Sequence, residues 1–374
     1  MRKTLLSLIT VAMASLLCAT PELLDLSRKT ENQMIIAQGA ATLYNGHPTL
    51  VSTTSGKLIA VWTYGHGGAM GPMAESTDHG KTWKRTDEKL PAEAKTYINC
   101  PSIYELTDPQ TGKKRLWIFA QYAKTSQGPD WMARVMSEDD GETWKVMPAL
   151  GKGFHCVMTF ASIVQLKDGR YLGVYHGGPA GADRPPLKVY SSISSDGGMT
   201  WGQPALIAEE AERNLCEPFV FRSPTTPNEL CCLLRENTHK DVSRMMFSTD
   251  EGKTWTRPQP AAHVVTGDRH VGITLLDGKL AIAFRDVDKT SPYCGHFVLW
   301  VGTYDDFKNT RENGKRIRLL ESHAAWDCGY PGMALLPDGS LLCLTYIKYR
   351  PGKERHSIIA MRVPANILSP VSSK

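Results

Sequence analysis

The pattern Ser-x-Asp-x-Gly-x-Thr-Trp occurs four times in this chain, at residues 76–83, 137–144, 194–201 and 248–255. Successive copies start 61, 57 and 54 positions apart. Near-even spacing of this length marks stacked or radial modules, in which each unit buries its apolar face against the next. The octapeptide has a local logic. Ser and Asp side chains bond their own backbone in a tight turn, and Gly takes the positive φ that such turns need. The Trp ring anchors the turn on the body of its module. The pattern is therefore structural and carries no chemistry itself.

Paired strands precede each copy. Apolar, β-rich stretches flank a hairpin signal at 48–61 (Ser55-Gly56), 101–120 (near Asp108), 162–175 (Asp168-Gly169), 218–234 (near Thr225), 271–284 (Asp277-Gly278) and 332–346 (Asp338-Gly339). That makes six units. The fifth and sixth lack the octapeptide, and residues 302–307 (GTYDDF) stand where a fifth copy would fall. No long stretch has helical periodicity. The expected fold is all-β, a six-bladed β-propeller, with a strand around 34–43 joining the last blade to close the ring and leave no free edge.

The chain has 374 residues, 41% of them hydrophobic, and a formal charge of +5. No Lys/Arg block with interleaved aromatics is present, which argues against a nucleic-acid partner. Arg2 and Lys3 precede an apolar run from Leu5 to Leu17 that ends in small residues near Ala19. This reads as an export signal over 1–19, followed by one propeller domain over 20–374, in a periplasmic or secreted protein without a transmembrane segment. Lipidation at Cys18 is the less favoured reading, because Leu17 is bulky where a small residue is expected. Cys231, Cys232 and Cys343 sit in apolar runs and read as buried free thiols. No Cys-x-x-Cys or His-Glu-x-x-His occurs, so no metal and no cofactor are expected. Nor is there a Gly-x-Ser-x-Gly elbow, a phosphate-binding loop or a dinucleotide fingerprint.

In a propeller, residues at the heads of the innermost strands and at the ends of the second strands converge on the axis. The repeat places His47, Cys100, Phe160, Glu217, Arg269 and Tyr330 at the first set of positions. Thr63, His176, Arg235, Arg285 and Tyr346 fall at the second. A packed core has no need of so many ionisable groups, so their convergence is the functional signal.

The four octapeptides resemble the Asp box of sialidases and related β-propellers. Cys216-Glu217-Pro218, followed by Leu234-Arg235-Glu236-Asn237, is similar to the sialidase segment with a general-base Glu and a carboxylate-binding Arg. Gly329-Tyr330 ahead of Leu335-Leu336-Pro337-Asp338-Gly339 is similar to the segment with the nucleophilic Tyr. The resemblance implies an exo-acting glycoside hydrolase that releases a terminal acidic sugar, sialic acid first, from glycans. Tyr330 would be the nucleophile, Glu217 its base, and Arg235 and Arg285 the carboxylate clamps. A Tyr nucleophile suits such a sugar, because the carboxylate on its anomeric carbon repels an acidic one.

Departures from the sialidase pattern are equally specific. Gly46-His47-Pro48 stands where the first-blade Arg is expected. The loop 64–70 (YGHGGAM) lacks the acid/base Asp and offers His66 instead. His296 stands near the third Arg position. His176 and Arg269 complete the expected substrate-binding set. Two alternatives stay open: a His-dependent propeller glycosidase or lyase acting on uronic-acid-containing glycans, and a non-catalytic glycan-binding propeller.

Overall fold

Each of the six expected hairpins forms the inner half of an antiparallel blade. The computed structural model describes residues 20–122, 132–151, 153–178 and 186–369. The segment read as an export signal lies outside them. Blade 1 runs Asn45–Ser52, Leu58–Tyr64, Met70–Ser76 and Lys84–Arg85. Blade 2 runs Ile98–Thr107, Lys114–Gln121, Met132–Ser137 and Lys145–Leu150. Blade 3 runs Met158–Gln165, Tyr171–Gly177, Lys188–Ser194 and Ala205–Ala208. Blade 4 runs Leu215–Arg222, Leu230–Glu236, Arg244–Ser248 and Gln259–Pro260. Blade 5 comprises Gly267–Thr274, Leu280–Asp286, Phe297–Gly302 and Lys315–Leu320, with Glu22–Asp25 added in parallel on its outer edge. Blade 6 comprises Cys328–Leu335, Leu341–Ile347 and Ser357–Val363.

The ring closes through chain termini. Gln33–Ala37 pairs antiparallel with Ser357–Val363, so an N-terminal strand supplies the outermost strand of the last blade. This is the expected closing strand, ending at Ala37 rather than Leu43. Residues 302–307 lead into a capped helix, Tyr304–Lys308, whose first turn is tied down by the Asp306 amide donating to Thr303 Oγ1. Among the described residues no helix is long and apolar enough to cross a membrane. Cys231, Cys232 and Cys343 are buried free thiols.

The octapeptide turns share one hydrogen-bond ladder. In blade 4, Ser248 Oγ donates to Asp250 Oδ1 at 2.8 Å and accepts from the Gly252 amide at 2.9 Å, while Thr254 donates from its amide and hydroxyl to Asp250. Trp255 Nε1 donates to the Gly252 carbonyl at 3.1 Å. The third copy differs. There Arg134 Nη1 donates to the Gly198 carbonyl at 3.1 Å, and Trp201 Nε1 is buried without a partner.

These turns also clasp the blade before them. A Cβ on Gly80 would meet Leu342 of blade 6 at 2.7 Å, and one on Gly141 would meet Ile59 of blade 1 at 2.8 Å. Gly198 lies as close to Trp117 of blade 2, and Gly252 to Leu172 of blade 3. The octapeptide glycine therefore meets two demands at once, positive φ and close approach. Gly252 and Gly278 share a φ of 81°, but a Cβ on Gly278 would have open space around it. Gly278→Ala is expected to destabilise by about 1 kcal/mol through backbone strain alone. Gly252→Ala should lose about 1–3 kcal/mol more, because it overpacks the blade interface. Urea unfolding of both variants checks this, and equal losses would remove the clasp.

Candidate active site

Five of the six innermost strands begin with a non-glycine residue held at positive φ. His47 (46°), Asn99 (69°), Glu217 (47°), Arg269 (51°) and Tyr330 (56°) occupy these positions. At each, the pairing register with the second strand slips, as between Gly46 and Thr49, Cys216 and Phe219, and Gly329 and Gly332. Each is therefore a β-bulge, which re-aims a side chain that a regular pleat would direct elsewhere. Side chains in this backbone region are strained by about 1–3 kcal/mol each, and such strain clusters at functional sites.

Four of the five bulges, all but that at Arg269, open onto a cavity of about 270 Å³ on the propeller axis, lined in part by His47, His66, His176, Glu217, Arg235, Arg285 and Tyr330. Seven of the sequence-derived site residues thus meet in one place. The other two lie elsewhere. Arg269 lines a second axial cavity of about 630 Å³ bounded by all six innermost strands. Its Nη1 is buried without a partner. His296 is outside the cavity lining, with Nδ1 accepting from the Ser322 amide. Phe160 packs on Trp201 in the core between blades.

At the cavity floor Tyr330 Oη donates to Glu217 Oε1 at 2.5 Å. Arg235 Nη1 donates to the same oxygen at 3.0 Å. Glu217 is 3% exposed, and its Oε2 has no protein partner. Burial pushes the Glu217 carboxyl up, but the Arg235 guanidinium and the Tyr330 hydroxyl hold it below the usual carboxylate range. Burial, reinforced by the Glu217 charge, pushes the Tyr330 phenol well above its ordinary value. The shared proton therefore rests on the phenol, facing an ionised carboxylate.

Asp268 lies beneath this pair and is 1% exposed. Arg285 donates to its Oδ2 from Nε at 3.0 Å and from Nη2 at 2.5 Å. Arg235 Nε lies 2.8 Å from its Oδ1, close enough for an ion pair but not aligned as a hydrogen bond. His239 Nε2 pairs with the same oxygen at 2.9 Å. Burial opposes the Asp268 charge, and the two arginines more than offset it, holding the carboxyl well below its ordinary value. Arg285 Nη1 donates to the carbonyls of Trp326 and Cys328. Arg285 is thus engaged at Nε, Nη1 and Nη2, whereas Arg235 Nη2 has no hydrogen-bond partner among the described residues. Asp268 is not among the residues that the sequence pattern places at the site; the bulge separates its side chain from that of Arg269.

Two histidines are set by backbone amides. The Gly67 amide donates to His47 Nδ1 at 3.1 Å, and the Glu217 amide donates to His176 Nδ1 at 3.2 Å. Positive φ at Gly65 and Gly67 turns the 64–69 loop far enough to bring that amide inward. With Nδ1 accepting, each neutral ring carries its proton on Nε2. His47 Nε2 is buried without a protein partner. Burial lowers His47 to about 3 and His176 to about 4, so both are neutral donors at physiological pH.

His66 stands at the cavity mouth, its side chain 61% exposed, against the edge of the His47 ring. Its Nδ1 lies 3.4 Å from Asp327 Oδ1 and 3.4 Å from Tyr44 Oη. Asp327 also accepts from Tyr44 Oη at 3.0 Å and from Tyr346 Oη at 3.0 Å, and His356 Nε2 lies 3.3 Å from its Oδ2. Burial acts against the Asp327 charge, but His66, His356 and Tyr44 hold its carboxyl well below the ordinary value. Sequence reading missed Asp327. Its one signal is an Asp three positions ahead of Tyr330, where the chain enters blade 6.

The model of the BNR repeat-like domain family matches residues 104–343, and that of the BNR/Asp-box repeat matches 74–85. No curated protein matches the sequence. Among solved structures, a Dyadobacter fermentans protein of unknown function is 17% identical with a TM-score of 0.67, covering 88% of this chain and 97% of that one. An alpha-L-arabinofuranosidase of Fusarium graminearum is 14% identical with a TM-score of 0.64, covering 90% and 98%. The NanB sialidase of Streptococcus pneumoniae is 15% identical with a TM-score of 0.61, covering 90% and 71%.

The buried histidines give the fold a pH dependence of known sign. In the unfolded chain each binds a proton near pH 6.5. In the folded chain His47 does so near 3, and His176 and His270 near 4. Unfolding therefore takes up protons between about pH 4 and 6.5, and stability falls as pH drops through that window. Each histidine contributes a slope of ~1.4 kcal/mol per pH unit. Urea unfolding across this range is expected to show the slope, and His176→Asn to make it shallower by one such increment. An unchanged slope would mean that His176 is not held neutral.

Proposed function

The chain belongs to the BNR repeat-like domain family, and we propose that it is an exo-acting glycoside hydrolase working from the axial cavity. The observation that carries this reading is the 2.5 Å contact between Tyr330 Oη and Glu217 Oε1, with Arg235 on the same carboxylate oxygen. A phenol beside an ionised, buried carboxylate is an activated nucleophile. As Tyr330 attacks the anomeric carbon, its proton passes to Glu217. Arg235 balances the carboxylate before that transfer. His66, at the mouth, protonates the departing oxygen and then activates the water that releases the sugar.

The substrate in this reading is a terminal acidic sugar, sialic acid first. Arg235 Nη2 offers a charged donor for its carboxylate, and the Nε2–H groups of His47 and His176 offer neutral donors for hydroxyls. A second reading, a neutral terminal sugar, is favoured by one observation: Arg285 is engaged at all three of its nitrogens by Asp268 and two backbone carbonyls. A single arginine is then left for an anionic group. The export signal expected over residues 1–19 supports this reading, because exposed glycans are found outside the cytoplasm.

Purified protein should release fluorophore from 4-methylumbelliferyl sialoside. Tyr330→Phe should lower kcat/KM by at least about 1,000-fold while retaining binding of free sialic acid by calorimetry. Release from the matching alpha-L-arabinofuranoside alone would replace the acidic sugar with a neutral one. Undiminished turnover by Tyr330→Phe would remove the phenol mechanism. Saturable binding with no product from either compound would favour a glycan-binding propeller.

A further inference from the structure

Asp327, whose side chain is half-buried beside His66, gathers hydroxyl and imidazole partners at both of its oxygens. Tyr44 Oη reaches both of its oxygens at 3.0 Å, Tyr346 Oη reaches Oδ1 at 3.0 Å, and His356 Nε2 lies 3.3 Å from Oδ2 while donating to the Asp327 carbonyl at 2.8 Å. Tyr44 leads into blade 1, whereas Tyr346 and His356 belong to blade 6, so blades 1 and 6 are fastened together at this carboxylate. The remaining partner, His66, is held only through Nδ1. The rest of its ring stands at the cavity mouth.

We propose that Asp327 is a positioning residue for His66, fixing the ring so that Nε2 is its reactive nitrogen. This inference rests on the proposed glycosidase reading. The proton placement follows from the donors. Tyr44 gives its own proton to Asp327, so its oxygen can only accept from His66 Nδ1. The Asp327 carboxylate also only accepts. Nδ1 therefore carries a proton in every state of the ring. Nε2 is left as the atom that gains or loses one, which is what an acid/base requires. Around this pair the other titratable neighbours are His47, against the His66 ring, and Tyr346 and His356, on the far side of the carboxylate. Arg355 stacks over the Tyr44 ring.

Leaving-group dependence separates such a role from a merely structural one. A general acid matters for a leaving group that departs poorly and little for one that departs well. With the benzyl and 4-nitrophenyl sialosides, Asp327→Asn should lower kcat/KM about 100-fold for the first and less than about fivefold for the second. His66→Ala should show the same split. The double variant should lose little beyond either single one, because the two residues act as a unit. Equal losses on both compounds, or additive losses in the double variant, would overturn the inference. If the wild-type protein hydrolyses neither sialoside, the acidic-sugar reading fails by itself. Nitrogen NMR of histidine-labelled protein then still tests Asp327. The His66 ring should carry its proton on Nδ1 in the wild type and lose that preference in Asp327→Asn. A wild-type ring protonated on Nε2 alone would overturn the inference regardless of activity.

Discussion

At the head of most innermost strands one bulky residue is held in a backbone conformation that glycine normally supplies. His47, Glu217 and Tyr330 are each followed by proline, which cannot donate to the ladder, so the pairing breaks there in any case. The bulge adds one residue to the strand and re-aims its side chain. Without it, the two-residue period of the strand would leave these groups packed between blades. Strain of about 1–3 kcal/mol at each position persists only where the surroundings over-determine the backbone. Here the surroundings are a closed ring whose inner strands pack against both neighbours, so no single bulge can relax alone.

The charges brought together this way are balanced almost internally. Glu217 and Asp268 face Arg235 and Arg285, four ionised groups with no net charge among them. Removing one partner of such a buried set leaves an unpaired charge, worth about 3–5 kcal/mol, so the network must be kept or lost as a whole. Its geometry is asymmetric. Arg285 is spent on structure, while Arg235 sits at the join between the network and the cavity. That asymmetry sets this site apart from an arrangement of three open arginines. Of the two histidines at expected arginine positions, His47 lines the cavity and His296 does not.

The fold was legible because its signals are local. An Asp box or an Asp-Gly hairpin needs only its own few residues to declare itself, and six such units at even spacing leave little choice of architecture. The lining of the axial cavity was legible where the repeat register applies, as at His47, His176, Glu217, Arg235, Arg285 and Tyr330. Register failed where a bulge divides neighbours. Asp268 and Arg269 are adjacent in sequence, yet one anchors the upper network and the other lines the lower channel. His296 stands in register too, but its ring is drawn to the Ser322 amide on the following loop. Asp327 was missed for a different reason. Its partners Tyr44 and His66 lie at the other end of the chain and meet it only because the ring closes between blades 6 and 1.

The central claim is that Tyr330 forms a bond to the sugar during turnover. A fluorinated sialosyl fluoride, which slows release of a covalent intermediate more than its formation, followed by peptide mass mapping, tests this directly. The expected result is one added glycosyl mass on the peptide that contains Tyr330. Label on a carboxylate side chain, or turnover of the fluoride with no label at Tyr330, would contradict it.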